Sequence, residues 1–176
     1  MPDFLSGMAG SIPNLVDLLS AISHWPLSVA ISTDYFWFPF FESIHVIAIC
    51  LVVGSIFIVD LRLLGITSTK RPVTALANEI LPWTWGAFVV AIIAGSMMFI
   101  SKAPNYVADD YFRAKMLLIL LAGINMAVFH LFTYRTVHQW DRDVPTVLGA
   151  KIAGAISLVL WIGVVFCGRW IGFTVI

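Results

Sequence analysis

Charge is scarce in this chain. Only 11% of its 176 residues are Asp, Glu, Lys or Arg, while 60% are hydrophobic. Soluble domains carry about a quarter charged residues, so a soluble fold with one anchor is excluded and an integral membrane protein is expected. The ten basic and ten acidic residues cancel, which leaves no basic surface for nucleic acid. Cysteine is nearly absent. Cys50 and Cys167 both lie in apolar runs and read as buried thiols, not as a disulfide framework. Residues 1–12 have no basic n-region and no compact apolar stretch, so no cleavable signal peptide is expected. There is no Gly-rich phosphate loop, no Gly-x-Ser-x-Gly elbow, no Cys-x-x-Cys and no His-Glu-x-x-His. Glu-x-x-His occurs once, at Glu42 and His45, whereas a di-iron bundle needs it twice with two further carboxylates.

What the chain does have is long apolar runs. Four are long enough to span a bilayer, which takes about 20 helical residues: 38–61, 82–100, 112–134 and 150–170. They end at polar or turn-forming stretches, 67–72, 102–105 and 141–145. Pro39 and Pro82 suit the first turn of a helix, where a missing N–H costs nothing. Short connections make neighbouring helices antiparallel. The predicted fold is therefore an all-α integral membrane protein, an up-down bundle of four transmembrane helices over residues 36–176. Aromatic residues, among them Tyr35, Trp37, Trp83, Trp85, Tyr106, Trp140 and Trp170, fall at the proposed interfaces, as an aromatic belt would.

Residues 1–35 form a tail with no Lys or Arg. Asn14, Asp17, Ser20 and His24 recur at spacings of three and four among leucines and valines, which predicts an interfacial amphipathic helix. A fifth span over 12–31 is the alternative, and Asp17, His24 and Pro26 count against it. Arg62, Lys70, Arg71, Arg135, Arg142 and Lys151 lie on the side of the first and third loops, and Lys102, Arg113, Lys115 and Arg169 on the other. That bias, six against four, makes the first side cytoplasmic and places both termini outside.

Ionisable side chains within such runs are the candidate functional residues. Glu42 and His45 are one helical turn apart and share a face. At similar depth, toward the outer side, come Met97, Met98, Lys115, Met116, Cys167 and Arg169. Imidazole, thioether and thiol are ligands for haem iron or copper, and Lys115 and Arg169 suit haem propionates or Glu42. Gly95 leaves space beside His45 for a flat cofactor. The inner half holds Asp60, Arg62 and His130. Asp60 and Arg62 point to different faces, so Asp60 is expected to meet a base from another helix, or His130. His45 and His130 differ in depth by roughly 17 Å at helical rise, so they do not share one metal. Asn125, near mid-membrane, can hydrogen-bond across helices, which is usually a structural role.

The pattern Phe38-Pro39-x-x-Glu42-x-x-His45-Val46, Asp60-x-Arg62-x-Leu64-Gly65, Leu81-Pro82-Trp83, Phe112-x-x-Lys115, Asn125-x-x-x-x-His130, Trp140 and Gly168-Arg169 resembles an uncharacterised family of bacterial four-helix membrane proteins. The resemblance implies a bacterial inner membrane location and no activity. In architecture the chain is also similar to small haem-binding bundles of the cytochrome b561 and copper-resistance-D type, which is an analogy of fold.

Three functions follow as expectations. The first is a redox bundle binding haem b, with His45 and His130 as axial ligands at two levels, Glu42 orienting His45, and quinone or a redox protein as electron partner. The second binds no haem. Copper sits on the outer set His45, Met97, Met98, Met116 and Cys167, or Glu42, His45 and Lys115 form a proton-linked polar pocket. The third is an accessory subunit of a larger membrane complex, or a homo-oligomer, whose polar residues only lock helices together. Whether any of these involves catalysis is left open by the sequence.

Overall fold

The computed structural model describes residues 13–141 and 145–175, and only the backbone of residues 13–16. The readings of residues 1–12, of the Asn14 side chain and of Arg142 lie outside that set. Every regular element within it is helical: α1 (Pro13–Ser23), α2 (Pro26–Thr33), α3 (Trp37–Leu64), α4 (Val73–Ser101), α5 (Ala103–Ala108), α6 (Asp110–Val128) and α7 (Leu148–Thr174). α6 continues directly into a π-helical turn, Phe129–Thr133, and a 3₁₀ stretch, Tyr134–Gln139. α3, α4, the segment Asp110–Gln139 and α7 are long and apolar enough to cross a membrane. α3 packs on α4 and α7, and α6 on α7, which gives the expected bundle.

Local chemistry sets the helix ends. α3 stops at Gly65, whose left-handed φ of 77° costs no Cβ clash. The Gly65 N–H bonds the Arg62 carbonyl at 3.0 Å and the Ile66 N–H bonds the Leu61 carbonyl at 3.0 Å, satisfying carbonyls that the helix leaves open. α6 starts where the Asp109 carboxylate accepts from the Phe112 N–H at 2.8 Å. α4 starts at Val73, after Pro72, not at Pro82. Pro82 thus lies inside the helix, where the carbonyl four residues earlier, that of Asn78, loses its N–H donor. A hydrophobicity scan cannot see the polar first turns that extend a helix out of the apolar layer.

The two N-terminal helices, of 11 and 8 residues, are each too short to span. The break at His24 and Trp25 rules out one continuous fifth span. α2 instead docks on the end of the bundle where α3 begins, which corresponds to the end expected to be outer. Ser28, fully buried, donates to the Ile100 carbonyl at 2.6 Å, and Ile31 of the same helix is buried as well. α1 packs against α5 at the same end.

Helix–helix contact in lipid depends on close packing and buried hydrogen bonds, since lipid tails are as apolar as leucine. α7 supplies the common face. Its buried residues Ala150, Gly154, Trp161, Val164, Cys167 and Ile171 follow helical spacing along one side. Trp161 and Val164 meet Val52 and Ala122 in a central cluster, and Leu63, Val73, Val137, Trp140 and Ala150 form an inner one. Trp140 is only 1% exposed and donates to the Thr136 hydroxyl, so it belongs to the core and not to the aromatic belt. Tyr106 is likewise buried, whereas Tyr35, Trp37, Trp83, Trp85 and Trp170 are exposed. Cys50 faces outward; only Cys167 is a buried thiol.

Candidate functional site

Toward the outer end, one residue each from α3, α6 and α7 and the backbone of α4 converge. His45, half-buried on α3, donates from Nδ1 to the Ala91 carbonyl at 2.8 Å. A carbonyl can only accept, so Nδ1 carries a proton, and in the neutral ring the lone pair is on Nε2. Gly95, one turn along α4 from Ala91, lies flush against the ring: a Cβ there would stand 2.9 Å from Cε1 and 3.1 Å from Nδ1. The space expected beside Gly95 for a flat cofactor is filled by the imidazole itself.

Lys115 sits in the second turn of α6. A lysine so near a helix end ordinarily extends to the headgroups. This one lays its head on α7 instead, where a Cβ on Gly168 would be 3.7 Å from Nζ. Its ammonium is within electrostatic range of His45 and of the buried Cys167 thiol. Among the described residues the ion pairs are Arg71 with Glu79 and Arg113 with Asp110, so Lys115 has no carboxylate partner there.

The other outer candidates are turned elsewhere. Glu42 is exposed and makes no ion pair with Lys115 or Arg169, and the hydrogen bond that orients His45 comes from backbone, not from Glu42. Arg169 is exposed and lies over the Phe173 ring at 5.1 Å. Met116 is 51% exposed on the outside of the bundle. Met97 and Met98 are half-buried on α4.

Near the same end, Phe99, Tyr106 and Phe112 pack on one another with centroid distances of 5.5 to 6.1 Å. Burial pushes the Tyr106 phenol up to about 12, and the negative charges of Glu42 and Asp109 add to this. Tyr106 therefore stays a neutral O–H donor at physiological pH. Sequence reasoning passed over this residue as a belt tyrosine. Its position in the short α5, between two aromatic residues of different helices, is a tertiary fact.

The inner half is arranged differently. Arg62 is 2% exposed. Its Nε donates to the Arg71 carbonyl at 3.0 Å, one terminal nitrogen to the Thr146 hydroxyl at 3.2 Å, and the other to the Asp141 carbonyl at 3.3 Å. The Asp141 carboxylate in turn accepts from the N–H and hydroxyl of Thr74, at 2.9 and 2.7 Å. One guanidinium thus ties the first loop to the third. Asp60 meets no base from another helix; the Ser157 hydroxyl of α7 is the group that approaches it. His130 is exposed in the π turn, bonded to the Met126 carbonyl at 2.9 Å and packed near Phe129 and Tyr134. Asn125 donates to the Ala153 carbonyl of α7 at 3.0 Å, and Thr84 joins α4 to Ser55 of α3 at 2.7 Å.

Residues 29–174 match a family of unknown function, DUF6644. The chain belongs to that family. The matched stretch runs from α2 to the end of α7 and holds both the outer cluster and the Arg62 tie. No curated protein matches the chain, and no solved structure does.

No group of three or more His, Cys, Asp or Glu side chains with metal-site geometry occurs among the described residues. Two open surface grooves of about 250 and 280 Å³ are lined by Tyr35, Phe36, Pro39, Phe40 and Ser43, and by Ala155, Ile156, Val159 and Leu160. Neither touches His45.

Proposed function

We propose that this multi-pass membrane protein handles protons through the outer cluster, with His45 as proton acceptor and Lys115 as the charge that governs it. One observation carries this reading. His45, its Nδ1–H held by the Ala91 carbonyl, and Lys115, which has no carboxylate partner among the described residues, are brought together inside the bundle. Intramembrane ionisable groups mark ion pathways and proton relays. A positive charge beside the ring makes its protonation depend on the state of Lys115, so the two sites titrate as a pair. Such a pair binds one proton between them, and a small anion drawn to Lys115 would favour uptake of a second. We place this half on the periplasmic side of a bacterial inner membrane, from the distribution of basic residues.

The test is flux. Full-length protein in liposomes loaded with a pH-sensitive dye should dissipate an imposed pH gradient faster than empty vesicles. His45→Ala and Lys115→Met should each return the rate to that of empty vesicles. Flux unchanged in both variants would sink the reading.

A second reading has one specific support. An Nδ1–H bonded to a backbone carbonyl is how metal-ligating histidines are commonly oriented. His45 would then ligate haem b, with Lys115 near a propionate and quinone or a redox protein as electron partner, or copper with Met97, Met98 and Cys167. Either requires α4 to yield at Gly95. Absorption spectra of the purified protein, oxidised and dithionite-reduced, together with metal analysis, decide this: a Soret band or stoichiometric copper lost in His45→Ala supports it, and their absence removes it.

A further inference from the structure

Asp60 is the one buried side chain among the described residues with an unsatisfied polar atom. It is 5% exposed, and its Oδ2 has no hydrogen-bond partner there. It lies where α3 and α7 press together: a Cβ on Gly154 would stand 3.2 Å from the Asp60 carbonyl oxygen and 3.3 Å from the Leu63 Cβ. Ser157, one turn further along α7, brings its hydroxyl to the carboxyl.

No charged group on the surrounding elements forms an ion pair with Asp60 among the described residues. Arg62 commits its donors to Arg71, Thr146 and Asp141. On α4, Glu79 pairs with Arg71. His130, in the π turn, bonds to Met126. Lys151 on α7 makes no ion pair with Asp60. A carboxylate buried without a counter-ion is costly, whereas the neutral acid carries its own donor and is far cheaper to bury. A fold that merely needed a polar lock here would be served by Asn or Ser, which leave no ionisable group in the contact.

We propose that Asp60 is a proton-binding site of the inner half, a carboxyl that takes a proton from water on the inner side and returns it there. In the loaded form the acid O–H faces Ser157. In the unloaded form the carboxylate requires the α3–α7 contact at Gly154 to admit water. No other bond changes: the acid becomes carboxylate and the proton passes to water. The site rests on burial and on an orphaned oxygen, and stands whether or not the outer cluster moves protons.

The experiment is infrared spectroscopy of the full-length protein in lipid, titrated with pH. A C=O stretch of a protonated carboxyl should be present, shift in D2O, move in Ser157→Ala and vanish in Asp60→Asn. It should give way reversibly to a carboxylate band as pH rises. If Asp60→Asn does not fold, Asp60→Glu should move the band instead. A band unaffected by changes at Asp60, or one that never titrates, overturns the proposal. A carboxylate band at all pH values, or one that responds to sodium chloride, does so in favour of a cation partner.

Discussion

The ring of His45 occupies the volume that a side chain at position 95 would need. Its Cε1 would lie 2.9 Å from a Cβ on Gly95, closer than real Cβ atoms approach anything. The pair locks α3 to α4 at the level of the Ala91 hydrogen bond and fixes which edge of the imidazole stays free.

Gly95→Ala should therefore displace the imidazole and break its bond to Ala91. Overpacking of this kind costs about 1–3 kcal/mol. Denaturation in mixed micelles would measure it. Because contacting residues couple, the same substitution in a His45→Ala background should cost close to nothing. An equal cost in both backgrounds would show that the ring is not what position 95 senses.

Arg62→Gln should destabilise the inner end. It removes the side-chain donor to the Arg71 carbonyl and one of the two donors to the Asp141 carbonyl, which keeps the Val73 N–H, at about 1–3 kcal/mol. Arg62→Lys should recover only part of that, since an ammonium cannot serve three acceptors in the plane of a guanidinium. Faster proteolysis between the third and fourth spans, with proton flux unchanged, is the expected signature; flux lost in proportion to stability would instead link the tie to the outer cluster.

Asn125→Leu removes the bond to Ala153 and little else. Interhelical bonds in membrane proteins are worth about 0.5–1.5 kcal/mol, and the variant should unfold that much more easily while keeping its oligomeric state and any flux. A larger loss would mean that Asn125 serves more than the α6–α7 contact.

Asp141 supplies a pH dependence with a definite sign. Partial burial opposes its ionisation, but the N–H and hydroxyl of Thr74, the Val73 N–H and the nearby His138 outweigh that and hold its carboxyl below the usual range. A lowered folded-state value means that the stabilisation is present above the ordinary carboxyl value near pH 4 and is lost as pH falls through the lowered one. Wild type should thus exceed Asp141→Asn in melting temperature at neutral pH, and the gap should close under acid. A gap constant from neutral to acid pH would remove the carboxylate from the account.

Hydrophobic run length determined the membrane class, the four spans and their alternation, because lipid leaves the backbone no partner but its own helix. Position along each span also brought Lys115, Cys167 and His45 to one depth, and marked Asn125 as able to bond across helices. It could not decide rotation about each helix axis. That is why Glu42, Arg169 and Met116, candidates at the depth of His45, and His130 in the other half turn outward, while Lys115 turns in onto Gly168. Side chains choose between lipid and interior by the fit of the facing helix, which pairs residues far apart in sequence. The same holds for Arg62: its charge was visible in the chain, but its three acceptors come from Arg71, Asp141 and Thr146, and only the closed bundle brings those loops to one guanidinium.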